Sequence, residues 1–292
     1  YDLSAVDSNR VWASCADGRI YHSEDGGRTW SVQYDGIADS TAAEFDYIEM
    51  FDAENGVAAG DLFPGKNDPL PILRTRDGGQ TWTAQTPAVD DEIYSVQFLD
   101  ANTGWINGYS FLAATTNGGN TWNEVTLPVS EFYPYNFQFL SQNEGWLPLN
   151  YNGLYHTTDG GNTWSEITSF SGDYPSEVYF TDSNTGYISS NDIIYKTTDG
   201  GISWTEQVDL PGYSDFNIKA IDFNNNNGWF VTLGGKIYRT DTGTWSEVSS
   251  SVIAEDITNA YFVNETTGWV IGYMENIWKT VDGGYTWIEQ TT

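Results

Sequence analysis

The chain has 292 residues and carries 41 acidic against 11 basic side chains, a net charge of −30. That field repels phosphate backbones and anionic membrane surfaces, which excludes nucleic-acid binding through phosphates. No apolar run approaches the ~20 residues of a membrane helix, and Cys15, the only cysteine, leaves no intramolecular disulfide.

Read in order, one short stretch keeps returning. It appears as SEDGGRTW at 23–30, TRDGGQTW at 75–82, TTNGGNTW at 115–122 and TTDGGNTW at 157–164. It continues as TTDGGISW at 197–204, a clipped TDTGTW at 240–245 and TVDGGYTW at 280–287. The step is about 41 residues, in the range of propeller blades. Paired glycines permit backbone with positive φ and close a tight turn. The Asp or Asn before them accepts hydrogen bonds from the turn's own amides. Thr and Trp then begin a strand, where β-branched and aromatic side chains pack well. The pattern S/T-x-D-x-G-x-T-W resembles the Asp-box, or bacterial neuraminidase repeat. That resemblance implies a β-propeller with the box between the third and fourth strands of each blade.

The predicted chain is all-β, a single seven-bladed β-propeller of four-stranded antiparallel blades. The blades fall near 1–34, 46–86, 93–127, 134–168, 176–208, 218–249 and 258–292. Length alone allows one or two domains, but blades need each other's faces to bury their rings, so one domain is expected. Blade three shows the grammar: first strand 94–100, turn 101–104, second strand 105–109, third 111–115 and fourth 121–125. Each blade is contiguous, so closure is expected from packing of blade one on blade seven. Blade two is longest, through insertions at 35–47 and 60–71. Both insertions fall on the face that carries the inter-blade loops, opposite the boxes.

All 13 tryptophans fit this frame. Seven close the boxes, Trp12, Trp105, Trp146, Trp229 and Trp269 open second strands, and Trp278 fills a third-strand slot. They read as core between blades rather than as a sugar platform. The loop face holds rings outside the frame: Tyr133, Tyr135, Tyr174, Tyr213 and Phe216, accompanied by Asp90 and Asp91. They read either as solvated loops covering the blade tops or as a rim that receives a ligand.

Sialidase chemistry needs converging arginines. Here Arg28 and Arg76 lie in boxes, Arg74 and Arg239 just before boxes, and Arg10 and Arg19 in blade-one turns, so no cluster is left. His22 and His156 share the pre-box slot in blades one and four, far from each other and from any zinc or triad partner. Glycoside hydrolysis needs two carboxylates roughly 5 to 9.5 Å apart. Glu49 and Asp222 are candidates, in a first-strand slot held elsewhere by Ser4, Gln97, Gln138, Tyr179 and Tyr261. The plainer reading is polar residues facing a water-filled channel. No cofactor is expected. Crowded carboxylates at Asp90–Asp91–Glu92 and around Asp61 and Asp68 leave room for calcium, without an EF-hand loop.

The KTTDGGISW stretch at 196–204 and the Gly-Trp second-strand starts, at single-propeller length, resemble the photosystem II stability/assembly factor family. The resemblance covers nearly the whole chain and implies one ring acting without catalysis. In photosynthetic members an arginine patch binds a partner, and this acidic chain has no such patch. Xyloglucanase-type enzymes with this repeat use two propellers to form a cleft. The expected function is therefore a non-catalytic, secreted, periplasmic or cell-surface propeller that binds a protein or glycan through the loop face, self-association included. The alternative is a carbohydrate-active enzyme using channel or loop carboxylates.

Overall fold

The computed structural model describes residues 2–15, 17–36, 45–60, 72–85, 93–127, 129, 136–149, 153–170, 174–190, 192–210, 218–241, 243–249, 253, 256–274 and 276–290. Among them, 28 strands form seven four-stranded antiparallel sheets, each of consecutive strands. The innermost strands are Asp2–Ala5, Tyr47–Met50, Ile93–Phe98, Gln138–Phe139, Pro175–Phe180, Ile218–Asn224 and Ile257–Phe262. A single 3₁₀ turn, Thr168–Phe170, interrupts the pattern among the described residues. The insertions of blade two lie largely outside the described residues.

The Asp-Gly-Gly turns are built as their chemistry dictates. In blade four, Asp159 accepts the Thr163 N–H at 2.8 Å on one oxygen and its hydroxyl at 2.7 Å on the other. Thr157 Oγ1 accepts the Gly161 N–H at 2.9 Å. Gly160 and Gly161 sit at φ 73° and 89°, a region costly for residues with a Cβ. The Gly160 N–H reaches Asn143 O at 2.9 Å, which ties the turn to the hairpin beside it. Blades one, two, three, five and seven repeat this tie, from Gly26 to Asn9, Gly78 to Glu54, Gly118 to Asn102, Gly200 to Asn184 and Gly283 to Thr266.

Three of the four strands of blade three differ from expectation, with Ile93–Phe98 for 94–100 and Gly104–Gly108 for 105–109 shifted by one or two residues. The fourth strand of blade three is Asn123–Glu124, not 121–125. The Thr121 N–H is bound by Asn117 Oδ1 at 2.9 Å, so Thr121 and Trp122 belong to the turn. The indole closes the corner from outside. Trp204 Nε1 donates to Gly201 O and Trp287 Nε1 to Gly284 O, each at 2.9 Å.

Blades are held together by seven apolar clusters, each spanning one pair of neighbours. The recurrent unit is a sandwich. The second-strand ring of one blade stacks on the first-strand Phe of the next: Trp105 on Phe139 at 3.9 Å, Trp146 on Phe180 at 3.6 Å and Trp229 on Phe262 at 3.8 Å. The other face of that Phe lies against the glycine that opens its own second strand. A Cβ on Gly145 would come within 2.5 Å of the Phe139 ring. These glycines permit close approach, so the recurrent Gly-aromatic pair is two halves of neighbouring sandwiches.

Closure follows expectation, with no strand exchanged between blades one and seven. Leu3, Ala5, Val11 and Ala13 pack against Trp269, Ile271 and Ile277. Trp269 Nε1 donates to Gly26 O at 3.2 Å and Lys279 Nζ to Ser8 O at 3.1 Å across the seam.

The sandwich makes a graded prediction. Trp146→Ala should destabilise by about 3–5 kcal/mol through lost burial and an unfilled void. Gly145→Ala should cost about 1–3 kcal/mol by overpacking Phe139. Urea unfolding followed by tryptophan fluorescence reads both. A glycine variant as stable as the parent would refute the sandwich.

Candidate functional site

The innermost strands of all seven blades line a central cavity of about 1190 Å³. Their inner edges carry N–H groups that lack a ladder partner, and such groups need an acceptor when enclosed. Side chains of the preceding blade supply it. Ser4 Oγ accepts the Met50 N–H at 2.8 Å. Glu49 Oε2 accepts from Phe98 and Gln97 Oε1 from Phe139, both at 2.7 Å. Gln138 Oε1 accepts from Phe180, and Asp222 Oδ2 accepts from Phe262 at 2.7 Å. Tyr179 works with the opposite polarity, donating its hydroxyl to Phe223 O at 3.0 Å. Six consecutive blades are thus clasped to their successors through one slot.

A second tier lies two residues earlier on the strands. Asn136 Nδ2 donates to Glu177 Oε2 at 2.7 Å. Asp2 Oδ2 accepts the Ile48 N–H at 3.0 Å, and its other oxygen accepts from Asn259 of blade seven, which fastens the closing seam. Burial disfavours the charged form of each enclosed carboxyl. It raises Glu49 to about 8, Glu177 to about 7, and Asp222 and Asp2 to about 6, against the lowering effect of the hydrogen bonds they accept. The turn carboxylates behave oppositely. The Thr29 hydroxyl and amide hold Asp25 down to about 2.

The candidate acid and base, Glu49 and Asp222, both face the cavity, each with one oxygen on a neighbouring strand. Tyr174 stands at the cavity mouth on the loop face, 45% exposed. Tyr133, Tyr135, Tyr213, Phe216, Asp90 and Asp91 lie outside the described residues, as do the crowded carboxylates Asp61, Asp68 and Glu92. Among the described residues no group of three His, Cys, Asp or Glu side chains could hold a metal. No helix is long and apolar enough to cross a membrane.

The two histidines share the slot just before the box, as expected, and there each stacks on a second-strand ring. His22 lies on Trp12 at 4.3 Å and His156 on Trp146 at 4.7 Å, and burial lowers both pKa values. Cations fill the same slot in other blades: Lys279 over Trp269 at 4.8 Å and Arg239 over Trp229 at 5.4 Å. Arg74 is fully buried there and donates to Gly118 O and Ala101 O of the next blade.

Sequence reasoning missed Asp2, Asn136, Glu177 and Asn259, although the register two residues before the clasp slot was available. It also missed Tyr273 and Met274, each 74% exposed on the second-to-third-strand hairpin of blade seven. Tyr273 lines the cavity mouth with Tyr174.

Seven blades in one ring around a central channel define a single-ring repeat propeller. The chain belongs to the family described as photosynthesis system II assembly factor YCF48, which matches residues 75–177 and 168–252. Similar solved structures include a YCF48 bound to D1 peptide, 23% identical, covering 86% of this chain and 82% of that one at a TM-score of 0.65. YCF48 from Cyanidioschyzon merolae is 20% identical and covers 83% of each chain at a TM-score of 0.62. The GH74 enzyme of Niastella koreensis is 14% identical, covering 99% of this chain and 58% of that one at a TM-score of 0.62. At these identities the structural likeness defines the fold alone. The chain matches no curated protein sequence.

The channel carboxyls predict an inverted pH dependence. A carboxyl whose folded pKa is raised binds its proton more tightly when folded, so stability is gained below the folded pKa and lost as pH rises through it. For Glu49, Glu177, Asp222 and Asp2 that window runs from about 8 down to the unfolded values near 4. The turn aspartates give the reverse, losing stability as pH falls through their lowered values. Melting temperature should therefore climb by roughly 5 °C between pH 8 and pH 5, then fall below about pH 4. Glu49→Gln should flatten the upper limb in a scanning-calorimetry series. A parent curve that falls monotonically from pH 8 would contradict it.

Proposed function

We propose that this chain is a non-catalytic binding propeller that receives a segment of a protein partner on its loop face, at the mouth of the channel. Membership of an assembly-factor family supports a binding or assembly role, and the similar structure of a YCF48 bound to D1 peptide supports a peptide as the occupant. The observation that carries the reading is the mouth itself. Tyr174 and Tyr273 are exposed there beside an open cavity, with exposed Met274 next to Tyr273 in the chain, while six channel side chains beneath are tied to the neighbouring blade. Large amphipathic side chains around a cavity are suited to gripping a peptide. The low lysine content and strong acidity support a location outside the cytoplasm, secreted, periplasmic or on the cell surface. Glycan binding and self-association at the same face remain variants of this reading.

A second reading, glycoside hydrolysis, has one observation in its favour. With Glu49 at about 8 and Asp222 at about 6, one carboxyl is protonated and the other ionised near neutral pH, as an acid and base require. Against it, each has an oxygen committed to a backbone N–H of the next blade.

A photo-cross-linking residue at Tyr273 decides between them. Placed there, it should give a covalent adduct with a discrete protein partner. The same residue at Tyr285, exposed in an Asp-Gly-Gly turn on the opposite face, should give none. Hydrolysis of a polysaccharide panel that is lost in both Glu49→Gln and Asp222→Asn would overturn the binding reading.

A further inference from the structure

At three seams a cation ties one blade to the turn corner of the next. Lys279 reaches Ser8 O of blade one at 3.1 Å, Arg74 reaches Gly118 O and Ala101 O of blade three, and Arg239 reaches Gly283 O of blade seven at 3.4 Å. Each packs so closely that a Cβ on Gly26, Gly118 or Gly283 would run into it. Lys196 holds the same pre-box slot in blade five, 5.3 Å from the centre of the Tyr187 ring. The turn beside it belongs to blade six and is two residues short. A Cβ on Gly243, the one glycine of that turn, would meet nothing within 4 Å.

The missing corner leaves a notch of about 270 Å³ between blades five and six, lined by Lys196, Asn225, Asn226, Asp241 and the stacked rings of Tyr187 and Phe223. Its polar groups lack the partners that a complete turn supplies. Lys196 and Asp241 make no hydrogen bond or ion pair, with each other or with any other residue, among the described residues. Asp241 follows Thr240 directly, whereas Asp199 stands two residues after Thr197 and is held by the Ser203 amide and hydroxyl. The Asn226 carbonyl stands two residues before a second-strand glycine, where Asn102 O and Thr266 O each accept a turn glycine N–H at 2.8 Å. In blade six the Gly243 N–H goes to Thr240 Oγ1 instead. One notch thus joins an unpaired ammonium, an unpaired carboxylate and a hairpin carbonyl without its turn donor.

We propose that this notch binds a small zwitterion, a free α-amino acid or glycine-containing dipeptide, with its carboxylate on Lys196 and its ammonium on Asp241 and Asn226 O. A net charge of −30 opposes capture of a free anion, and Lys196 opposes a lone cation. A zwitterion meets neither penalty and pairs both charges. The notch holds about nine waters at roughly 30 Å³ each, room for an amino acid or dipeptide and too little for an oligosaccharide. Tyr187 and Phe223 are buried, which leaves no ring face for a sugar to stack on. Bound there, the ligand supplies what the Gly-Gly corner supplies at other seams, an acceptor for the cation and a donor for the hairpin carbonyl. It therefore ties blade five to blade six. The site lies on the face of the Asp-Gly-Gly turns and is independent of the peptide reading at the channel mouth.

The test titrates the whole isotope-labelled chain with glycylglycine by NMR at about pH 7, where ligand carboxylate and amine are both charged. Acetate, methylammonium and N-acetyl-glycylglycine amide form parallel arms. Glycylglycine should bind about tenfold tighter than acetate or methylammonium and should shift the amide signals of Asn226 and Gly243. It should also raise the melting temperature, since it binds the folded ring. Lys196→Met and Asp241→Asn should each weaken it about tenfold. Glu124→Gln, on an exposed outer strand, should leave it unchanged. Replacing the clipped turn at 240–245 with the blade-five sequence TTDGGISW should fill the notch and abolish binding while the ring stays folded. Acetate binding as tightly as glycylglycine would reduce the site to an anion contact at Lys196 and overturn the proposal. Equal binding of the blocked amide would make the occupant a main-chain segment of a protein, and overturn it too. So would binding that survives the repaired turn, or indifference to Lys196→Met and Asp241→Asn. None of these results touches the peptide reading, which the Tyr273 cross-link decides.

Discussion

The structure turns on the inner edge of each blade. A four-stranded sheet with one edge facing a channel presents backbone donors and acceptors that nothing in its own blade can satisfy. Enclosed groups left unpaired cost about 1–3 kcal/mol each. In six of the seven blades the ring answers with one side chain reaching forward to the backbone of the next. Every clasp joins residues 40 to 49 positions apart, about one repeat, so it exists only when neighbouring blades are docked in register. Edge satisfaction and blade docking are therefore one event. The aromatic sandwiches provide the apolar gain for that event, and the clasps fix its register.

The outer half of each blade is held by different means. Where the Asp-Gly-Gly turn is complete, carboxylate, hydroxyl and glycine amides bind one another, then bind the adjacent hairpin of the same blade. Contacts that cross to a neighbour there include Gln33 Nε2 to Gly78 O at 3.0 Å, Trp229 Nε1 to Gly283 O at 2.9 Å and the Arg74 guanidinium to Gly118 O. Blade six shows how far this arrangement tolerates change. Its turn is two residues shorter and, among the described residues, keeps one bond like those of the set, from the Gly243 N–H to Thr240 Oγ1 at 2.9 Å. Its sheet still forms, and Trp245 still packs against Phe223 and Tyr187 of blade five. The turn sharpens the corner, and the rings carry the docking.

This division explains what the sequence made legible. Tryptophan, paired glycine and Gly-aromatic starts are specified by packing, and packing allows few substitutes, so the seven-blade ring could be counted from spelling alone. The clasp slot could be located but not understood, because its occupants are Ser, Glu, Gln, Gln, Tyr, Asp and Tyr. What they share is reach toward a backbone group a whole repeat away, and reach to a non-local partner leaves no chemical signature. Glu49 and Asp222 looked like candidate catalysts for the same reason that Gln97 did not: type was visible and partner was not. Tyr273 and Met274 escaped because attention fell on the insertions and inter-blade loops, whereas a short hairpin at the cavity mouth exposes its residues just as well.

A repeat protein also supplies its own controls. Seven copies of one slot meet nearly the same backbone demand, so differences among them expose demands that are not structural. Glutamine in blades three and four shows what the ring alone prefers, since it satisfies donor and acceptor without charge. Blades one, two, five, six and seven depart from that preference with Ser4, Glu49, Tyr179, Asp222 and Tyr261. Drift at an unconstrained position would favour neutral side chains, because buried charge opposes folding. Glu49 and Asp222 stand three blades apart on a ring of seven, so their two carboxyls meet the channel from nearly opposite sides, each held by the backbone N–H of its successor.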